Sequence, residues 1–251
     1  MSEARTKVYL LDVEGTVAPL TLTTEVLFPY ARAHFESFLE RHADDPAVRA
    51  DLEMLADENL RETDAELPRV CHPEQPRATR GGVEGSAVRD AVLAYLFWLM
   101  DRDRKSTALK SLQGKIWKAG FENGALKGTL FDDVPDALRR WSAEARVAIY
   151  SSGSVDAQKL FFRHSSHGDL TPLISGYFDT RTGPKMESGS YATIAAQMEV
   201  PPQELLFFSD SVRELDAARE AGCQTRLAVR PGNAPVEDPH GHAVVESFAD
   251  L

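Results

Sequence analysis

The spacing of apolar residues changes character twice along this chain. Val8-Tyr9-Leu10-Leu11 is an unbroken apolar run rich in β-formers, which predicts a short, buried strand of a parallel sheet. Helical spacing then takes over. Over residues 23–42 it is carried by Val26, Leu27, Tyr30, Ala33, Phe35, Phe38 and Leu39, with Thr24 placed to cap the helix. It continues over residues 46–61, resumes at Ser86 as an N-cap through residue 102, and covers residues 107–121. No strand-like alternation of any length interrupts this block. Residues 62–85 differ in kind: Pro68, Pro73, Pro76, Gly81, Gly82 and Gly85 with few large apolar side chains predict a surface loop.

From Asp133 onward helix and strand alternate. Helices are predicted over residues 134–143, 155–162, 190–198 and 212–221. Strands are predicted at Arg146–Tyr150, residues 176–179, 205–208 and 225–229, with a final weak strand at Ala243–Val245. Such alternation means parallel strands joined by crossover helices. The predicted architecture is therefore α/β, a doubly wound parallel sheet with an inserted helical cap. Its core is expected from residues 1–20 and 125–251, and its cap from residues 21–124.

Composition narrows the partners. With 39 acidic against 28 basic residues the formal charge is −11, which argues against a general nucleic-acid binder or a partner for anionic membranes. Cys71 and Cys223 are too few for a disulfide scaffold or a cysteine zinc site, and both read as plain thiols of a reducing compartment. The N-terminus has no apolar signal core, and no run approaches the roughly 20 apolar residues of a membrane span. A cytoplasmic monomer acting on a small molecule is expected.

Four features fall at predicted strand ends. Asp12 and Glu14 follow the first strand, Ser151 and Ser152 the second, and Asp210 the run Leu205-Leu206-Phe207-Phe208, while Lys185 sits in Gly183-Pro184-Lys185. Taken singly, each has a plain structural reading: a polar turn, a capped helix start, a solvated lysine, an N-cap. Strand ends of a parallel sheet share one edge, however, so these residues can meet in one crevice. Together they suit phosphoryl transfer. Hard carboxylate oxygens bind Mg²⁺, serine hydroxyls and helix N-termini bind phosphate, and a fixed ammonium neutralises phosphoryl oxygens.

Asp12-Val13-Glu14-Gly15-Thr16, Ser151-Ser152-Gly153-Ser154, Lys185 and Ser209-Asp210 with Glu214 resemble the four motifs of haloacid dehalogenase-like phosphohydrolases. More narrowly, Asp-x-Glu-Gly-Thr in place of Asp-x-Asp resembles the enolase-phosphatases of methionine salvage. So do Leu27-Phe28-Pro29-Tyr30, the stretch from Asp103 to Lys110, Leu112-Gln113-Gly114, Phe178-Asp179-Thr180 and Val229-Arg230-Pro231-Gly232-Asn233. The resemblance covers nearly the whole chain and is weakest over residues 62–85.

What it implies is a Mg²⁺-dependent enzyme of two steps. It enolises 2,3-diketo-5-methylthiopentyl 1-phosphate, then hydrolyses the enol phosphate to the acireductone and phosphate. By position, Asp12, Glu14 and Asp210 would hold Mg²⁺, and Ser151, Ser152 and Lys185 the substrate. Asp12 is the expected nucleophile, Glu14 the acid/base, and Glu214 a residue that orients either Lys185 or a metal-bound water, although an exposed helix glutamate fits that position as well. Aromatic and aliphatic cap residues would face the methylthio end, and cap motion would admit substrate. The competing readings are a plain phosphatase on this scaffold and a non-catalytic phosphate sensor. Glu14 and the matched cap stretches disfavour the first, and the complete acid–lysine set disfavours the second.

Overall fold

The computed structural model describes residues 5–70, 83–249 and 251. Cys71, His72 and the middle of the expected 62–85 loop lie outside the described residues. Two compact units are present, one from residues 1–25 and 121–251, the other from residues 26–120.

The first unit is built on six parallel strands. These are β1 (Val8–Leu11), β2 (Arg146–Tyr150), β3 (Gly176–Phe178), β4 (Leu205–Ser209), β5 (Gln224–Ala228) and β6 (Ala243–Val245), in the order β3-β2-β1-β4-β5-β6. β1 is central, with Leu10 level with Ala148 on one side and Phe207 on the other. A strand flanked on both edges and covered on both faces must be apolar throughout. Accordingly Val8, Leu10, Leu11, Val147, Ile149, Leu205 and Phe207 are wholly buried. Each such Leu, Ile, Val or Phe contributes about 1.5–3 kcal/mol over leaving it in water. On one sheet face Leu10, Tyr150 and Phe207 pack with Tyr191, Leu215 and Leu227. Tyr9 points the other way and stacks on Trp141 at 4.6 Å between ring centroids.

The crossovers are helical. α5 (Val134–Glu144) precedes β2, α6 (Val155–Arg163) joins β2 to β3, α7 (Ser188–Gln197) joins β3 to β4, and α8 (Val212–Glu220) joins β4 to β5. From β1 the sheet first grows towards β3, then restarts beside β1 with β4 and grows the other way. The carboxyl ends of β1 and β4 therefore flank a topological switch point, where ligands of open α/β sheets bind.

The second unit holds α1 (Phe28–His42), α2 (Pro46–Arg61), α3 (Val83–Asp101) and α4 (Thr107–Glu122) as far as Gly120. Its core includes Phe35, Phe38, Leu55, Leu96, Leu99, Leu112 and Ile116. α2 starts at Pro46 behind Asp45, whose carboxylate accepts from Ala47 N at 2.7 Å. Two expected starts are corrected. Thr24 does not cap α1: a π-helical turn over Leu22–Leu27 runs directly into it, Leu27 is the N-cap, and the Thr24 hydroxyl donates back to Thr21 O. The continuous helical backbone leaves a capping side chain no role there. Ser86 lies inside α3, which begins at Val83. Among the described residues no helix is long and apolar enough to cross a membrane.

Candidate active site

Asp12 is the first residue past β1, and its N–H still donates to Phe208 O at 3.0 Å, continuing the ladder. The chain then folds back on itself. Val17 N and Ala18 N both donate to Val13 O at 2.9 Å, and Gly15 N donates to Ala18 O at 2.8 Å. Gly15 takes φ +73°, and a Cβ built on it would lie 2.4 Å from Asp210 Oδ2. Only glycine combines that left-handed backbone with so close an approach. The β1 and β4 ends can therefore bring Asp12 and Asp210 to one place.

Lys185 reaches into the same place from the loop before α7. Its Nζ lies 2.5 Å from Asp12 Oδ1 and 2.6 Å from Glu214 Oε2, and its side chain is 9% exposed. Ser209 Oγ donates to the same Glu214 oxygen at 2.9 Å. Glu214 belongs to the first turn of α8, whose N-cap is Ser211. Asp210, a candidate cap from the sequence, is thus free of that task because the next residue performs it.

Three hydroxyls hold the backbone of the Gly183–Lys185 loop. Tyr150 OH donates to Gly183 O at 2.8 Å, Ser190 Oγ to Pro184 O at 2.7 Å, and Tyr191 OH to Lys185 O at 2.7 Å. Gly183 is glycine for a steric reason, since a Cβ there would fall 2.2 Å from Ser190 Oγ. A long, flexible side chain is therefore anchored at its base as well as at its tip. Its ammonium is thereby preorganised, at little further cost for holding it in place.

Burial and charge set the protonation states. Burial pulls the Lys185 ammonium down, yet Asp12 and Glu214 outweigh it and leave the pKa above the usual lysine value. Burial pushes Asp210 up to about 7, with repulsion from Asp12 and Glu214 adding to it. Glu214 is raised by burial against the pull of Lys185. Glu14 is also raised by burial, opposed by the Thr23 hydroxyl that donates to its Oε1.

Asp12, Lys185 and Glu214 are thus in direct contact, and Glu14 and Asp210 feel their charge. Ser151 and Ser152 stand at the end of β2, the strand next to β1. Ser151 is buried and its Oγ accepts from Gly153 N at 3.2 Å; Ser152 is exposed. Neither hydrogen-bonds to the carboxylate–lysine cluster. Among the described residues no three acidic, histidine or cysteine side chains are set as a ready-made metal cage. Lys185 donates to one oxygen of Asp12, and the Thr23 hydroxyl to one of Glu14. Thr23, Tyr150, Ser190 and Tyr191 escaped the reading of the sequence, where nothing distinguishes them from ordinary polar and core positions.

A model of the family described as haloacid dehalogenase-like hydrolase matches residues 6–222, the class that the sheet order and strand-end acids define. Enolase-phosphatase E1 of Synechococcus elongatus is 52% identical over 231 residues, covering 91% of this chain and 90% of that one. The probable bifunctional methylthioribulose-1-phosphate dehydratase/enolase-phosphatase E1 of Physcomitrium patens is 43% identical over 253 residues, 97% of this chain and 48% of that one. The crystal structure of UTR4 protein from Saccharomyces cerevisiae superposes with a TM-score of 0.77 at 34% identity, covering 98% of this chain and 100% of that one. The chain belongs to the enolase-phosphatases of the haloacid dehalogenase-like hydrolase family.

Proposed function

We propose that the switch-point cleft enolises 2,3-diketo-5-methylthiopentyl 1-phosphate and then hydrolyses the enol phosphate. The products are 1,2-dihydroxy-3-keto-5-methylthiopentene and phosphate. The observation that carries this is the Lys185 ammonium held between Asp12 and Glu214 beside a glutamate, Glu14, at the position two past the nucleophile. The moss relative's name points the same way, because loss of water from a methylthioribulose phosphate leaves a diketo phosphate of this kind.

The donor set fits Mg²⁺. Mg²⁺ keeps several of its waters and needs no closed carboxylate cage; Asp12, Asp210 and Glu14 would offer it hard oxygens, and the missing Cβ at Gly15 leaves room for Asp210 beside them. When bound there, Mg²⁺ supplies positive charge to the phosphoryl and dione oxygens.

The residues divide the remaining work. The Asp12 carboxylate attacks phosphorus and forms an aspartyl-phosphate while the bond from phosphorus to the C1 oxygen breaks. Glu14 carries a proton to that leaving oxygen and then takes one from the water that cleaves the acyl phosphate. Lys185, charged at every working pH, neutralises the phosphoryl oxygens. The loop of Ser151 and Ser152, which opens α6, receives the phosphate by hydroxyl and N–H donation. Glu214 keeps Lys185 in place. We further propose that the protein works as a cytoplasmic monomer on this small phosphorylated substrate, without nucleic-acid or membrane partners. The acidic surface supports that reading.

Stopped-flow absorbance with the diketo phosphate and Mg²⁺, alongside released phosphate, tests the proposal. An enol-phosphate signal that rises and then decays as phosphate appears is expected. Turnover of a generic phosphomonoester with no enol signal would reduce the protein to a plain phosphatase.

A further inference from the structure

The Arg230–Asn233 turn, on the far side of the sheet order from Lys185, touches the nucleophile loop at two successive carbonyls. Arg230 Nε donates to Thr16 O at 3.0 Å, and Asn233 Nδ2 donates to Gly15 O at 2.8 Å. These are the residues that leave the turn carrying Asp12 and Glu14, and Gly15 is the one that abuts Asp210.

Arg230 is itself rigidly held. Its guanidinium makes a two-pronged pair with Asp133 at 2.7 and 2.8 Å, donates to Glu246 O at 2.8 Å, and lies 4.6 Å and 4.4 Å from the ring centroids of Phe131 and Phe248. Its side chain is 2% exposed. Asn233 is set by its own N–H, which donates to Arg230 O at 3.0 Å. Among the described residues its Oδ1 is buried without a partner. The amide is thus used for its donor, which goes to Gly15 O at 2.8 Å and, more weakly, to Ala228 O at 3.4 Å at the end of β5.

We propose that Arg230 and Asn233 are positioning residues for the hydrolase site. By gripping the Thr16 and Gly15 carbonyls they hold the Asp12–Ala18 turn in the one conformation that presents Asp12 and Glu14 beside Asp210. This rests on the function proposed above. Neither residue touches the carboxylate–lysine cluster; their effect passes through backbone alone.

The test is Asn233→Ala, a change at a half-exposed turn that leaves the sheet core intact, with Arg230→Lys as the second variant. Asn233→Ala is expected to lower kcat by about 10–100-fold, since misplacements of an ångström or less suffice for that, while KM stays within about twofold. Native-state hydrogen exchange is expected to show the Gly15, Val17 and Ala18 amides opening faster, with the β4 amides unchanged. Arg230→Lys keeps the charge but loses the fork, and is expected to show the same local opening together with a lower denaturation midpoint. Unchanged kcat with unchanged exchange in Asn233→Ala overturns the proposal. So does a fall in kcat accompanied by faster exchange across the whole sheet. If the wild-type protein turns over neither the diketo phosphate nor a simple phosphomonoester, the functional reading fails. The exchange data then still decide whether Asn233 holds the turn.

Discussion

The hydroxyl of Tyr191 donates to the main-chain carbonyl of Lys185 at 2.7 Å, and the same lysine's ammonium lies 2.5 Å from Asp12. A core tyrosine on α7 therefore holds the base of the side chain whose tip meets Asp12. Tyr191→Phe deletes the donor without opening a cavity. It is expected to cost about 1–2 kcal/mol, because the carbonyl loses its partner. It should also lower kcat severalfold, as the base of Lys185 loosens. Urea denaturation beside steady-state kinetics checks both.

Gly15→Ala should be far more damaging. The new methyl group would meet Asp210 Oδ2 at 2.4 Å on a backbone of φ +73°. Backbone strain of about 1–3 kcal/mol is expected. Displacement of Asp210 should weaken Mg²⁺ binding and reduce turnover by at least about 100-fold. Calorimetric titration with Mg²⁺ reads the first effect apart from the second. Wild-type affinity in the variant would refute the assignment of Asp210.

Glu14→Asp separates the two proposed steps. The carboxyl retreats by one C–C bond, on the order of 1.5 Å, and loses the Thr23 hydroxyl. Hydrolysis of a simple phosphomonoester should survive within about tenfold, as aspartate serves that role in related sites, while the enol signal from the diketo phosphate should fall by at least about 100-fold. The stopped-flow assay distinguishes them. Equal losses in both steps would mean that Glu14 has no special part in enolisation.

Acid should weaken the Arg230 anchor in a defined window. Burial works to raise the Asp133 carboxyl, but hydrogen bonds from Arg230, Phe248 N and Ser247 together hold it below the usual carboxylate range. A depressed folded-state value means that the stabilisation is complete above the unfolded value, about pH 4, and is lost as pH falls through the folded one. Asp133→Asn should therefore lower the urea midpoint at pH 7. Its stability should also fall less steeply than wild type below pH about 4. Parallel curves for the two proteins would contradict this.

Glu58 caps a helix it does not belong to. Its Oε1 accepts from Thr107 N at 3.1 Å and Ala108 N at 3.4 Å at the start of α4, and its Oε2 accepts from Ser106 Oγ at 2.5 Å. Glu58→Ala should cost about 0.5–2 kcal/mol, the ordinary range for a lost N-cap. Hydrogen exchange should place the loosening at the first turn of α4 and leave the sheet unaffected.

Much of this protein was determined by local sequence alone. Runs such as Val8–Leu11 and Leu205–Ser209 announce strands buried on both faces, and their order with the helices between them requires a parallel, doubly wound sheet. Asp12, Glu14, Ser151, Ser152, Lys185 and Asp210 were legible as candidates because each sits just past such an element or in a short Gly-Pro loop, where local pattern is strong. What only the tertiary structure decided is who holds whom. Glu214 grips Lys185, Tyr191 and Ser190 fasten its loop, Thr23 takes Glu14, and Arg230 and Asn233 reach back more than two hundred residues to Thr16 and Gly15. None of these leaves a periodic signal. Each is a single polar atom meeting a backbone or side-chain group from another part of the chain, and such pairings exist only once the strands have brought their ends to one edge.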